Sequence, residues 1–290
     1  MTDFLEPTEA DHVIPFDRLP PRFAESLEHP PEIPVEARPA ATIVLLRDGR
    51  RSLEVLMMRR NRSSGFVPGA YVFPGGRVDA ADAEEAALER MDGLTAEAAA
   101  QRLGLHDADP PAIAYYLAAL REAFEETGIL VAHGPDGEAP RTAAEDTWVD
   151  DLRDDVMEDR ISFADALEQL GCRIEGTSVE YMAHWITPEV EPRRYDTRFF
   201  AAKARSGATP IVDPREMTDA LWITPEAAMT RNRAGTLPMV FPTIKTLQRL
   251  MRYATVDAAL EAFRARTVPT ILPRLVVTPT GVGMELDAEP

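Results

Sequence analysis

Arg121-Glu122-Ala123-Phe124-Glu125-Glu126-Thr127-Gly128 is the stretch on which the fold of this chain turns. As a helix it sets Glu122, Glu125 and Glu126 at i, i+3 and i+4, so three carboxylates share one face. Like charges crowded together repel unless cations stand between them. Ile113, Tyr116, Leu117, Leu120 and Phe124 supply the apolar spacing of an amphipathic helix, with Pro110-Pro111 ahead of it and Gly128 as its stop. The carboxylates are therefore expected opposite the core stripe, facing a cleft or solvent. Hard oxygen ligands in this number suit Mg²⁺ or Mn²⁺, which complete their shells with water and substrate phosphate oxygens. Arg121, at i, i+4 to Glu125, is placed to hold that carboxylate in one rotamer.

An acidic helix face alone is ordinarily just solvated. Upstream, however, Phe73-Pro74-Gly75-Gly76 follows Tyr71-Val72 and reads as a strand end that turns sharply, where backbone without side chains can approach a ligand or a metal. With Gly76, Asp82 and the Arg121 stretch taken together, the chain resembles the Nudix hydrolases. Gly76 and Asp82 match the first half of the family's box, and Arg121 to Ile129 match every fixed position of the second half. Two departures stand out. Asp82 occupies a place where the family has Glu, and the halves are separated by residues 83 to 120, 38 in all, a far longer spacer than the family pattern.

A box interrupted after Val72-Phe73-Pro74-Gly75-Gly76-Arg77-Val78-Asp79 is similar to the coenzyme A diphosphatase branch of that family. Leu56 to Asn61, Gly69 and Phe73 to Gly76 also carry the spacing of that branch's coenzyme A signature, although Met58, Asn61 and Gly65 stand where the signature has Thr, Ser and a second Arg. Trp185 to Pro188, Arg194 to Phe200 and Leu221 to Ala227 are similar to the family's closing strands and helix. The resemblance covers roughly residues 40 to 255 and implies an α/β (α+β) fold: a Nudix-like α/β/α sandwich, with a mixed β-sheet between helices plus helical insertions.

The implied chemistry is hydrolysis of a nucleoside diphosphate linked to another group, water attacking one phosphorus. Glu122, Glu125 and Glu126 are the expected ligands of Mg²⁺ or Mn²⁺, and Arg121, Glu122 and Glu125 the expected catalytic set. Gly75 and Gly76 would admit the substrate backbone-on. Arg59, Arg60 and Arg194, from clusters at strand ends, are candidates to clamp phosphates. The general base stays open between Glu122, Glu216 and Asp219. Coenzyme A or an acyl-CoA is the leading substrate, ADP-ribose or a nucleotide sugar the alternative, and a non-catalytic binding protein the different-class alternative. A homodimer is admitted but not indicated.

Composition sets outer limits. At 45% apolar, 290 residues can bury a sizeable core, and we expect one domain over 41–265, a proline-studded arm over 1–40 and a tail over 266–290 holding one late strand near Ile271 to Val277. A net charge of −18 argues against nucleic acid, which is held through clustered Lys and Arg. No apolar run approaches the roughly 18 residues of a membrane span, and no signal segment is evident, so a cytoplasmic protein is expected. Cys172 stands alone, excluding an intrachain disulfide, and is read as a small buried hydrophobe. His12, His29, His106, His133 and His184 show no ligand spacing. In the spacer, helices are expected over Ala83 to Met91 and Thr95 to Leu103, the second opened by a Thr95 cap.

Overall fold

The structure is a computed structural model, and its description covers residues 13–15, 27, 29, 31–62 and 68–286. These fall into two compact units. The larger holds residues 39–183 and 198–268; the smaller holds 184–197, 269–286 and the described part of 1–38.

The larger unit is built on a hairpin. Arg38–Asp48 and Leu53–Arg60 pair antiparallel, with Leu46 opposite Val55 and Asp48 opposite Leu53, and the Gly49 N–H closes the turn on the Ser52 carbonyl at 3.0 Å. Strand neighbours run in the order Met217–Ile223, Leu53–Arg60, Arg38–Asp48, Tyr195–Lys203, Glu180–Ile186. Successive side chains of a strand point to opposite faces. Ile43 and Leu45 join the core around the Arg121-bearing helix, while Val44 and Leu46 are equally buried and outside that cluster. Both faces of this strand are therefore covered, which is why it reads as an apolar run rather than a strict alternation.

The carboxylate helix spans Ala112–Thr127, stopped by Gly128 at φ 66°, a left-handed conformation that glycine adopts without cost. Its burial extends beyond the expected apolar stripe: every residue in it is buried except Glu122, Glu125 and Glu126, which are half-buried and line a cleft, as expected. Ala114, Ala118, Ala119 and Ala123 are small enough to let neighbours close in, and the helices Ala96–Leu103 and Thr147–Met157 pack against it.

The spacer between the box halves forms a 3₁₀ turn (Ala80–Ala83) and helices Glu85–Leu88 and Ala96–Leu103. Thr95 caps the last as expected, its Oγ1 accepting from the Ala98 N–H at 3.1 Å. The first helical pattern stops short. Met91–Asp92 instead pairs in parallel with Ile174–Glu175 as a separate two-stranded sheet, because Met91 is buried and Arg173 grips both Asp92 oxygens at 2.7 Å.

In the smaller unit Thr270 and Ile271 pair in parallel with His184 and Trp185. Arg274–Thr278 and Gly281–Glu285 form an antiparallel hairpin, to which Val13–Pro15 adds a third strand. The expected tail thus carries more than one strand: Val282 is fully buried, and the Pro279-Thr280 turn lets the chain fold back onto the late strand. Residues 1–12, 16–26, 28 and 30 of the expected arm lie outside the described residues. Among the described residues, no helix is long and apolar enough to cross a membrane.

Candidate active site

The glycine turn sets the stage. Gly75–Arg77 is a short strand with Gly76 opposite Ala41 and Gly75 opposite Thr42, and the carboxylate helix packs directly on it. A Cβ on Gly76 would collide with the Glu122 carboxylate, and one on Gly75 would lie 2.5 Å from the Ala41 carbonyl oxygen. Both positions need the missing side chain. The Gly75 N–H then donates to Glu126 Oε2 at 3.1 Å, so the turn touches two of the three carboxylates.

Arg121 gathers the rest. Its Nε and Nη2 donate to Asp82 Oδ1 and Oδ2 at 2.9 and 3.0 Å, a bidentate pair buried on both sides. Nη1 donates to Glu122 Oε1 at 3.0 Å and Glu125 Oε2 at 3.1 Å, and Nη2 also reaches the Arg77 carbonyl at 3.0 Å. One guanidinium therefore orients three carboxylates and the backbone after the glycines. It also closes the interrupted box, since Asp82 and Arg121 meet across the whole spacer.

This crowding is costly without a cation. Burial pushes the Glu122 carboxyl up to about 7, with Glu125 and Asp82 adding to the shift and Arg121 opposing it. Glu125 rises for the same first reason, desolvation, again opposed by Arg121. Glu126 is driven well above its ordinary value by burial and the Glu122 charge, against the Gly75 N–H and Arg60. Burial works against the charge on Arg121, yet the Asp82 hydrogen bonds and the surrounding carboxylates outweigh it and raise its pKa.

These groups open onto a cleft of about 230 Å³, lined also by Arg77, Asp79, Asp213 and Glu216. Among the described residues no three His, Cys, Asp or Glu side chains are already drawn to one metal-holding point, because the carboxylates turn to Arg121 and to the Gly75 N–H. The donor set itself fits a hard divalent cation: oxygen-only, partly desolvated and in excess of the positive charge beside it.

Other expected residues distribute unevenly. Arg60 acts on the charge of Glu126, whereas Arg59 donates to the Gly69 carbonyl at 3.4 Å and lies over the Tyr71 ring, 5.8 Å from its centroid. Glu216 lines the cleft; Asp219 does not, and accepts from the Tyr71 hydroxyl at 3.0 Å. Arg194, in the smaller unit, donates to the Thr187 and Val35 carbonyls at 3.0 and 2.7 Å and is not among the cleft-lining residues. His184 is buried and links Asp196 (2.6 Å) to Thr270 (3.0 Å). Cys172 is buried, and desolvation raises its thiol pKa.

Arg77, Asp79 and Asp213 line the cleft beyond the expected residues. The first two follow the glycine turn immediately and are legible from that adjacency. Asp213 arrives from a distant segment with no local signal.

Comparison with known proteins agrees with this geometry. Residues 37–250 match the family model described as the NUDT19 Nudix domain. The chain is 29% identical over 269 residues to the acyl-coenzyme A diphosphatase NUDT19 of Gallus gallus, covering 76% of this chain and 69% of that protein. With the Xenopus laevis protein of the same name it shares 25% over 232 residues, 70% of this chain and 61% of the relative. The chain thus spans between three fifths and about two thirds of these relatives' length. A crystal structure of a Nudix hydrolase from Alicyclobacillus acidocaldarius superposes with a TM-score of 0.65 at 30% identity, over 78% of this chain and 96% of that one. With the glycine turn and Asp82 both held against the Arg121 stretch beside one cleft, the chain belongs to the Nudix family, in the group described by the NUDT19 Nudix domain.

Proposed function

We propose that this protein is a metal-dependent pyrophosphohydrolase that cleaves coenzyme A or an acyl-CoA at its diphosphate, giving a 4′-phosphopantetheine product and adenosine 3′,5′-bisphosphate. The observation that carries the reading is the single guanidinium of Arg121 bonded to Asp82, Glu122 and Glu125 beside a turn whose glycines lie against Glu122 and Glu126. The coenzyme A preference is supported by the acyl-coenzyme A diphosphatase relatives.

Glu122, Glu125 and Glu126 would hold Mg²⁺ or Mn²⁺, which when bound supplies charge neutralisation at the phosphate oxygens and a more acidic water. Arg121 holds the carboxylate pair Glu122 and Glu125 in fixed rotamers, so that little reorganisation is left for the reaction. Gly75 and Gly76 leave room for a diphosphate to approach the backbone. The candidate bases are Glu216 on the cleft wall and Glu122, the latter only while it does not hold the cation.

The test is a hydrolysis screen with Mg²⁺ and with Mn²⁺ across coenzyme A, acetyl-CoA, 3′-dephospho-CoA, ADP-ribose and NADH. Cleavage of the CoA forms with release of adenosine 3′,5′-bisphosphate is expected. Efficient turnover of ADP-ribose with none of the CoA forms would overturn the substrate assignment.

A further inference from the structure

Arg153 lies outside the box, in the helix Thr147–Met157, among Asp150, Asp151, Asp154 and Asp155. It is nonetheless only 4% exposed. Its Nε donates to the backbone carbonyl of Glu125 at 2.7 Å. That carbonyl is one of the last four of the carboxylate helix, which have no partner within the helix itself. A cation at a helix C-terminus also faces the negative end of the helix dipole. Nη1 stands 3.6 Å from both Asp150 and Asp154, while Nη2 is buried without a hydrogen-bond partner. A buried arginine that leaves one donor unmet is unfavourable for stability alone. What it secures is the turn that carries Glu125 and Glu126. Beyond Arg153, Asp213 lines both the carboxylate cleft and a neighbouring cleft that Arg153 itself lines, so the guanidinium stands between that turn and the loop supplying Glu216.

We infer that Arg153 is a positioning residue for Glu125 and Glu126, fixing the last turn of the carboxylate helix through the Glu125 carbonyl; the inference rests on reading that turn as the metal-holding one. Removing the guanidinium frees the turn, and the two carboxylates lose the backbone anchor that fixes where each is carried. Residues that hold ligands from behind typically change metal affinity or activity by about 10- to 100-fold when removed.

The experiment compares wild type, Arg153→Ala, Arg153→Gln, Arg153→Lys and, as a packing control in the same helix, Leu152→Ala. Mn²⁺ affinity is read by electron paramagnetic resonance, and steady-state kinetics are measured with coenzyme A. Arg153→Ala, or Arg153→Gln if the alanine variant does not fold, is expected to weaken Mn²⁺ binding about tenfold or more and to lower kcat with KM for coenzyme A nearly unchanged. Arg153→Lys, which keeps one donor for the carbonyl, is expected to recover part of both. Leu152→Ala is expected to lower Tm without moving the Mn²⁺ affinity. Unchanged Mn²⁺ affinity and kcat in a folded Arg153 variant overturns the inference, as does an equal loss in Leu152→Ala. Weakened Mn²⁺ binding in Arg153→Ala, in a protein that hydrolyses none of the substrates, leaves the inference standing and removes the proposed function. Absence of Mn²⁺ binding by wild type overturns both.

Discussion

At Gly76 a single hydrogen stands where a methyl group would strike the Glu122 carboxylate. Gly76→Ala is therefore expected to displace Glu122 and lower kcat about tenfold or more, with the circular dichroism spectrum unchanged. Wild-type turnover in that variant would contradict the close approach. Glu125→Gln and Glu126→Gln, which remove charge but little volume, should each lower kcat by roughly two orders of magnitude, since metal supplies several kcal/mol of charge stabilisation. The carboxylates also set a pH dependence. Glu122, Glu125 and Glu126 all have folded-state values raised by burial above the ordinary 4.5, Glu122 to about 7. A raised carboxyl favours folding in its protonated form, so that contribution is full below the unfolded value and fades as pH climbs through the folded one. In EDTA, urea denaturation should accordingly show the protein less stable at about pH 8 than at about pH 5 as far as these groups decide it, and saturating Mg²⁺ should shrink the difference. Stability rising with pH in EDTA and insensitive to Mg²⁺ would count against a desolvated carboxylate cluster. The residues of the cleft were legible where chemistry sits next to a recognisable turn or on one helix face, as with Gly76, Arg121 and the three glutamates. Asp213 was not, and neither was Arg153 behind the last turn of the carboxylate helix, because only tertiary folding places them.

Among elements, the carboxylate helix was readable in extent, from Pro110-Pro111 to Gly128, but not in its surroundings. Its apolar spacing named one buried stripe; the alanines between, which let two further helices close over it, look neutral in a sequence. The same limit applies to Met91–Asp92, whose strand pairing depends on Ile174–Glu175 and on Arg173 reaching Asp92, partners more than eighty residues away. The Asp82–Arg121 pair is the join on which the split box depends. Both side chains are buried, so Asp82→Ala leaves a guanidinium short of its bidentate partner, and a loss of about 3 kcal/mol is expected, at the low end for broken buried pairs because Glu122 and Glu125 still hold Arg121. Urea midpoints for the variant and wild type measure it. A loss within error of zero would mean that the join is not needed to bring the halves together.

Over the whole molecule, a charge of −18 surrounds a cleft proposed to receive a polyanion. Encounter should then be opposed at long range, and screening should relieve it: the Debye length falls from about 30 Å at 0.01 M salt to about 8 Å at 0.15 M. At saturating Mg²⁺, kcat/KM for coenzyme A is expected to rise severalfold over that interval, and a fall instead would show that local arginines dominate the approach. The layered arrangement around the hairpin strands was accessible from apolar runs, whereas the split into two units was not, since the smaller one is assembled from three separated stretches of chain. The parallel pairing of Met91–Asp92 with Ile174–Glu175 has a practical consequence for anyone reshaping this protein. The excursion inside the box and the segment near residue 174 are sewn to each other as well as to the helix beneath, and Arg102 from the excursion reaches the Phe263 and Arg264 carbonyls at 2.8 and 2.6 Å. Trimming the excursion to restore a contiguous box would leave Ile174, Arg173 and the end of the final helix of the larger unit without their partners. A minimal version of this protein must be cut along both seams at once.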